Sequence, residues 1–316
     1  MPGPKKPEVD AAIASGLSFL AKQQEKDGSF VSFSSPAFSP FRRTRSWRTV
    51  FVPALMLTSL AGLEQPKARR IRSGLVSFLL SQKNDGWSFN YWTKSAPEYT
   101  KQPYPDDLDD TFCALTALYL HDASLIDAVA MAKIVKLLLA TETAVGGPYR
   151  TWLVPEDSQP VWLDVDSAVN SNIAFFLSLT GGSLPRLDDL MERSISAGSF
   201  SSPYYPNEHV FLYYFARAYD GGHKDKLLRK VRRAQKLAKT DLDKALCLCA
   251  RLKLGDSRGL GNVINELLLS QRRDGSWPAA TFYADPVVDG KRYYNGAPAL
   301  TTAFVLEALQ AYVNHK

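Results

Sequence analysis

The sequence predicts an all-α fold, a closed ring of six helical hairpins in which one barrel of helices sits inside another. Three observations carry this. Helical-period segments fill the chain, and no strand-period segment of comparable strength interrupts them. They alternate between amphipathic segments and segments apolar on every side, and a helix of the second kind belongs in an interior. A turn pattern recurs at a spacing of tens of residues, the mark of a repeat architecture. An open stack of hairpins would use the same alternation and is the other arrangement the pattern allows.

The amphipathic segments run over 9–24, 66–82, 124–140, 185–196, 224–239 and 257–271 and are assigned to the outer barrel. Three of them end alike: GLSFLAKQQEKDGSF, GLVSFLLSQKNDGWSF and INELLLSQRRDGSW each close on Gln, two residues, Asp-Gly and an aromatic, the second with its Trp one position early. Glycine suits a helix end that needs a left-handed residue, and the Gln, Asp and aromatic can tie that end to the next helix. The inner segments are 46–62, 107–120, 164–182, 206–222, 241–255 and 297–312, each entered through a loop rich in Tyr and Trp. The chain of 316 residues is read as one domain, 1–316.

Composition excludes several classes. No apolar stretch has the length of a membrane span, and MPGPKKPEVD lacks the apolar core of a signal peptide, so a cytoplasmic location is expected. Cys113, Cys247 and Cys249 are odd in number and lie in apolar helical context, which suits a reducing compartment. The net charge of +6 belongs to one segment, since Lys224–Lys239 carries eight Lys or Arg against one Asp. That segment is read as a solvated outer helix or as a peripheral contact with an anionic membrane surface. No nucleic-acid motif accompanies the charge, so no nucleic-acid partner is expected.

The densest chemistry lies in DLDDTFCALTALYL, where Asp107, Asp109 and Asp110 follow Asp106 at the start of an inner helix. One acid is explained as a helix cap. Carboxylates this close repel one another when ionised, so at least one should keep its proton well above the usual range and serve as an acid at neutral pH. The next inner segment, DVDSAVNSNIAFFL, aligns without gaps at an offset of 57, keeping Asp164 and Asp166 but carrying Ser167, Asn170 and Asn172 in place of Asp110, Cys113 and Leu115. Buried amides need partners, either the acids across the ring or backbone at a helix contact. The entry loops hold Trp47, Tyr91, Trp92, Tyr99, Tyr104, Tyr149, Trp152, Trp162, Tyr204, Tyr205, Tyr293 and Tyr294. Singly these read as packing; together, at one end of a ring, they suggest an aromatic pocket for something large, apolar or transiently cationic.

The DxDD of Asp107, Asp109 and Asp110 followed by Thr111, with the three Gln-Asp-Gly-aromatic repeats, resembles the class II terpene cyclases, which include squalene-hopene cyclase and the copalyl and drimenyl diphosphate synthases. The resemblance implies an α/α toroid, the beta domain of those enzymes, and cyclisation of a linear isoprenoid started by protonation. It places the proton donor at Asp109, flanked by Asp107 and Asp110. Asn170 is the candidate orienting partner, and Asp166 the matching acid of the sister segment. Farnesyl or geranylgeranyl diphosphate is the favoured substrate over a squalene-like polyprene, because Arg42, Arg43, Arg45, Arg48 and Arg150 lie near the entry and arginine holds diphosphates well. The chemistry needs no cofactor, a diphosphate would bring Mg with it, and no metal-binding residues are identified. Most members carry a second helical domain; here either the ring closes its own pocket or a homodimer or partner chain supplies the missing wall. A protein prenyltransferase beta subunit, which shares the toroid and binds Zn, and a non-catalytic isoprenoid-binding toroid are the alternatives.

Overall fold

The computed structural model describes residues 4–101, 104–285 and 292–315. Its elements are α1 (Lys6–Gln23), β1 (Val31–Ser35), β2 (Arg45–Arg48), α2 (Phe51–Ser59), α3 (Pro66–Gln82), the short α4 (Pro97–Lys101), α5 (Leu108–His121), α6 (Ala128–Thr141), α7 (Ser167–Leu179), α8 (Pro185–Ala197), α9 (Glu208–Ala218), α10 (Lys224–Leu237), α11 (Asp241–Lys253), α12 (Gly261–Ser270), β3 (Tyr283–Ala284), β4 (Tyr294–Gly296) and α13 (Pro298–Asn314).

The inner barrel is α2, α5, α7, α9, α11 and α13, each packed on the next, and α13 packs back on α2. That last contact closes the ring and removes the open stack. The inner helices are buried on nearly all sides, as their uniform apolarity requires: α5 buries Leu108 through Leu118 except Asp109. The outer helices α1, α3, α6, α8, α10 and α12 bury only a stripe, such as Leu227, Val231 and Ala234 of α10. Two turn motifs do what their composition suggested. Gln24 Nε2 donates to Gly28 O and across to Ile71 O, both at 3.0 Å, and Gln271 Nε2 donates to Gly275 O at 3.0 Å and to Ala12 O at 2.9 Å. Gly28 (φ +89°) and Gly275 (φ +90°) press so closely on the neighbouring helix that a Cβ would come within 2.2 Å and 2.3 Å of a backbone oxygen. In the second copy the extra residue puts Trp87 itself in the left-handed region, at φ +66°.

Four short strands were not expected. They form an antiparallel sheet in the order β2-β1-β4-β3, with Phe33 opposite Gly296, so the sheet joins the two ends of the chain beside the ring. Its consequence is that the first inner helix begins at Phe51 and not at 46, because Arg45–Arg48 pairs with β1. The basic helix α10 is a solvated outer helix whose charge is partly answered: Lys224 pairs with Asp220, Lys230 with Glu208 at 2.6 Å and Arg232 with Asp256 at 2.9 Å. Among the described residues no helix is long and apolar enough to cross a membrane.

Candidate active site

The four acids before and within α5 divide into different tasks. Asp106 ties the entry loop, its Oδ2 accepting from Asn84 at 2.6 Å and Ser88 at 2.5 Å. Asp107 is the N-cap of α5, accepting the Asp110 N–H at 2.7 Å. It is nevertheless buried, and burial, reinforced by the Asp109 charge, pushes its carboxyl up to about 8. Asp110 is buried beside it and lies well above the ordinary range, through burial first and the charge of Asp107 second. One oxygen of Asp110 has no hydrogen-bond partner among the described residues, as suits a carboxyl that keeps its proton.

Asp109 stands apart. Its Oδ1 accepts from Asn172 Nδ2 at 2.7 Å, and its Oδ2 accepts from the Tyr205 hydroxyl. Behind Asn172, Arg217 Nη2 donates to the amide oxygen at 2.7 Å, which fixes which end of the amide faces Asp109. The guanidinium is itself wedged against the rings of Tyr214 and Phe175, 4.5 and 4.6 Å from their centres. Burial pushes the Asp109 carboxyl up to about 6, while the bonds from Tyr205 and Asn172 pull it down. The amide that contacts Asp109 is therefore Asn172 and not Asn170. Asn170 lies on another face of α7 and is spent on backbone, exchanging bonds with Tyr149 at 2.8 and 2.9 Å and donating to Asp166 O at 2.8 Å. Asp166 caps α7 through the N–H groups of Ala168 and Val169 and does not line the pocket.

Asp107, Asp109 and Asp110 line a small cavity of about 50 Å³ that is partly open to solvent. Its walls include Tyr91, Tyr104, Trp152, Tyr204 and Tyr205 from the expected loop aromatics, and Phe51, Thr151, Tyr283, Ala284 and Asp285 besides. Trp152 Nε1 donates to Tyr204 OH, which donates on to Asp164, both at 2.9 Å, so these two walls are held rigid. Trp92 and Trp162 pack behind the lining, 4.6 Å from Tyr91 and 4.7 Å from Trp152 between ring centres. Trp47 packs at a tilt against Trp92, Tyr149 is held in its loop by Asn170, and Tyr294 in β4 packs against Phe38. These five therefore do not line the pocket. The residues contributed by the sheet, Tyr283 to Asp285, carried no periodic signal because β3 is two residues long.

The arginines are elsewhere. Arg48 faces Glu25 and Asp27 at 3.6 Å, Arg43 and Arg45 lie over the rings of Phe33 and Trp47, Arg42 is exposed, and Arg150 donates to Ala140 O and pairs with Glu156. None of the five lines the pocket, whose described lining holds four carboxylates and no Lys or Arg. Among the described residues no group of three or more His, Cys, Asp or Glu is disposed to hold a metal ion; Cys247 and Cys249 are buried within the inner barrel.

No protein-family model matches the sequence, and no curated protein is similar to it by sequence. Solved structures do resemble it. The type II terpene cyclase MstE from Scytonema superposes with a TM-score of 0.75 at 15% identity, covering 98% of this chain and 100% of that one. Its R337A variant, in complex with the substrate geranylgeranyl dihydroxybenzoate, gives 0.75 at 16% identity, over 98% and 99%. A protein from Actinoplanes gives 0.72 at 19%, over 96% and 99%. A D-mannose isomerase also superposes, at 0.62 and 10% identity over 99% and 98%, so the ring alone does not choose a chemistry. The architecture is an α/α toroid with a terpene-cyclase-like fold.

Proposed function

We propose that the protein is a class II terpene cyclase that protonates the terminal double bond of a linear isoprenoid, with Asp109 as the acid. The observation that carries this is the double anchoring of Asp109 inside an aromatic pocket. An alkene is a very weak base, so its donor must be neutral, shielded from water and aimed. Once the proton leaves, the new carboxylate already has a donor on each oxygen, Asn172 and Tyr205, with the Arg217 charge behind them. The π pair of the double bond forms the new C–H bond, leaving a tertiary cation that the remaining double bonds attack in turn. Tyr91, Tyr104, Trp152, Tyr204 and Phe51 offer π faces to that cation, worth ~0.5–2 kcal/mol each when desolvated, without offering it water. With a carboxyl at about 6, Asp109 is protonated in a minority of empty molecules at neutral pH; an apolar chain filling the pocket removes water and raises that fraction.

The substrate reading differs from the diphosphates expected from the sequence. A diphosphate would meet four acidic side chains and no cation in the described lining, which favours a prenyl chain whose head group carries less negative charge than a diphosphate, as does the dihydroxybenzoate of the substrate bound to the Scytonema cyclase variant. The sheet supplies part of the pocket wall through Tyr283, Ala284 and the following Asp285. The test is incubation with geranylgeranyl dihydroxybenzoate, and with farnesyl and geranylgeranyl diphosphates with and without Mg, followed by product analysis. Asp109→Asn should abolish cyclisation with unchanged circular dichroism; cyclisation persisting in that variant overturns the mechanism. Conversion of the diphosphates alone overturns the substrate reading.

A further inference from the structure

Resting on the cyclase reading, we propose that Asp285 is the base that ends the reaction by removing a proton from the final carbocation. A cyclisation begun by adding a proton to carbon finishes as an isomerisation only if a proton is returned. The pocket contains one carboxylate that does not belong to the α5 cluster, and it is Asp285, placed at the end of β3 on the sheet side of the wall. Asp107 is spent on the helix cap, Asp110 is buried beside it in the cluster that delivers the proton, and Asp164 and Asp166 lie outside the lining.

Asp285 is held as a catalytic group needs to be. Its N–H donates to Tyr293 O at 3.1 Å, fixing the backbone. Its Oδ1 accepts from Asn295 Nδ2 at 2.8 Å and from the Tyr91 hydroxyl at 3.4 Å. Tyr91 is in turn bonded to Tyr283, and Tyr283 to Ser32, each at 3.0 Å, so the donor side is braced across the sheet. No described residue donates to Oδ2. In the step, the C–H bond adjacent to the last cationic carbon breaks, its electron pair becomes the new C=C, and the proton passes to Oδ2. Asp109 has lost one proton and Asp285 has gained one, so substrate and product are isomers and no co-reactant is needed. A nearby cation also favours the ionised form of Asp285 until the transfer.

Asp285→Asn and Asp285→Ala, each checked for native circular dichroism, are compared with wild type on geranylgeranyl dihydroxybenzoate. Among the products still formed, the main alkene should give way to isomeric alkenes or a water-quenched alcohol. Tyr91→Phe, which removes one hydroxyl from Oδ1, should shift products the same way but less, and it serves if neither Asp285 variant folds. An unchanged product composition in folded variants overturns the proposal, as does loss of all consumption, which would place Asp285 in initiation or binding. If wild type converts none of the panel of isoprenoids, the cyclase reading itself falls and this inference falls with it.

Discussion

Replacing Tyr205 by Phe removes one atom from the site and little else. The ring is buried against Tyr214, Phe282 and Phe51, at 5.0, 6.2 and 6.4 Å between centres, and Phe keeps those contacts. What is lost is the hydroxyl donor to Asp109 Oδ2, leaving that oxygen with no donor among the described residues. A hydrogen bond to a charged group contributes ~1.5–3 kcal/mol. That free energy acts twice. In the free enzyme it holds the Asp109 carboxyl down, so its loss should move the carboxyl upward from about 6 by ~1–2 units. In the transition state it stabilises the carboxylate being formed, so its loss should lower the rate of the protonated enzyme by up to ~10–150-fold. The donor must be protonated, so kcat/KM of the wild type should be level at low pH and fall as pH rises through the donor's value. Tyr205→Phe should therefore show a lower acid plateau and a later fall. If neither moves while circular dichroism stays native, Tyr205 does not support the donor and the proposed role of Asp109 loses its main argument.

The two asparagines of α7 should part company. Asn172→Leu should lower activity and displace the alkaline fall upward as Tyr205→Phe does, whereas Asn170→Ala should cost ~2 kcal/mol or more in denaturant unfolding, from the orphaned Tyr149 backbone, with the pH profile unmoved. Stability should also fall with rising pH. Asp109 and Asp285 at about 6 and Asp107 at about 8 hold protons that the unfolded chain gives up near 4, so their contribution is complete below that value and is lost as pH rises through about 6 and then about 8. Tm should decline between pH 5 and 8, and Asp107→Asn, which keeps the helix cap, should flatten the upper part of that decline. A Tm that rises over this interval contradicts the buried, proton-holding cluster.

The ring was legible because its signal is long: a period of 3.6 sustained over helices of nine or more residues stands out, and uniform apolarity marks the inner set. The sheet was not, because strands of two to five residues are too short to display alternation against loops already rich in Tyr and Ser. The acid cluster was legible from crowding alone. Its partner was legible only as a choice between Asn170 and Asn172, two residues and roughly 200° apart on one helix, since which faces the cavity depends on how α7 is rotated by packing. The arginines misled for a related reason. Their nearness in sequence to an inner helix suggested nearness to the mouth, but β2 is an edge strand of the sheet, and Arg45 and Arg48 on it, like Arg43 before it, interact with aromatic rings or acids outside the pocket.

The central claim is that this pocket adds a proton to a carbon–carbon double bond, and running the reaction in D2O tests it most directly. Turnover of geranylgeranyl dihydroxybenzoate, or of whichever isoprenoid the protein accepts, should give a cyclic product carrying one deuterium at the terminal end of the chain, read as a gain of one mass unit by mass spectrometry. Asp109→Asn should give none. A cyclic product formed in D2O without deuterium would mean that the reaction starts by some other route, and the assignment of Asp109 as its acid would be wrong.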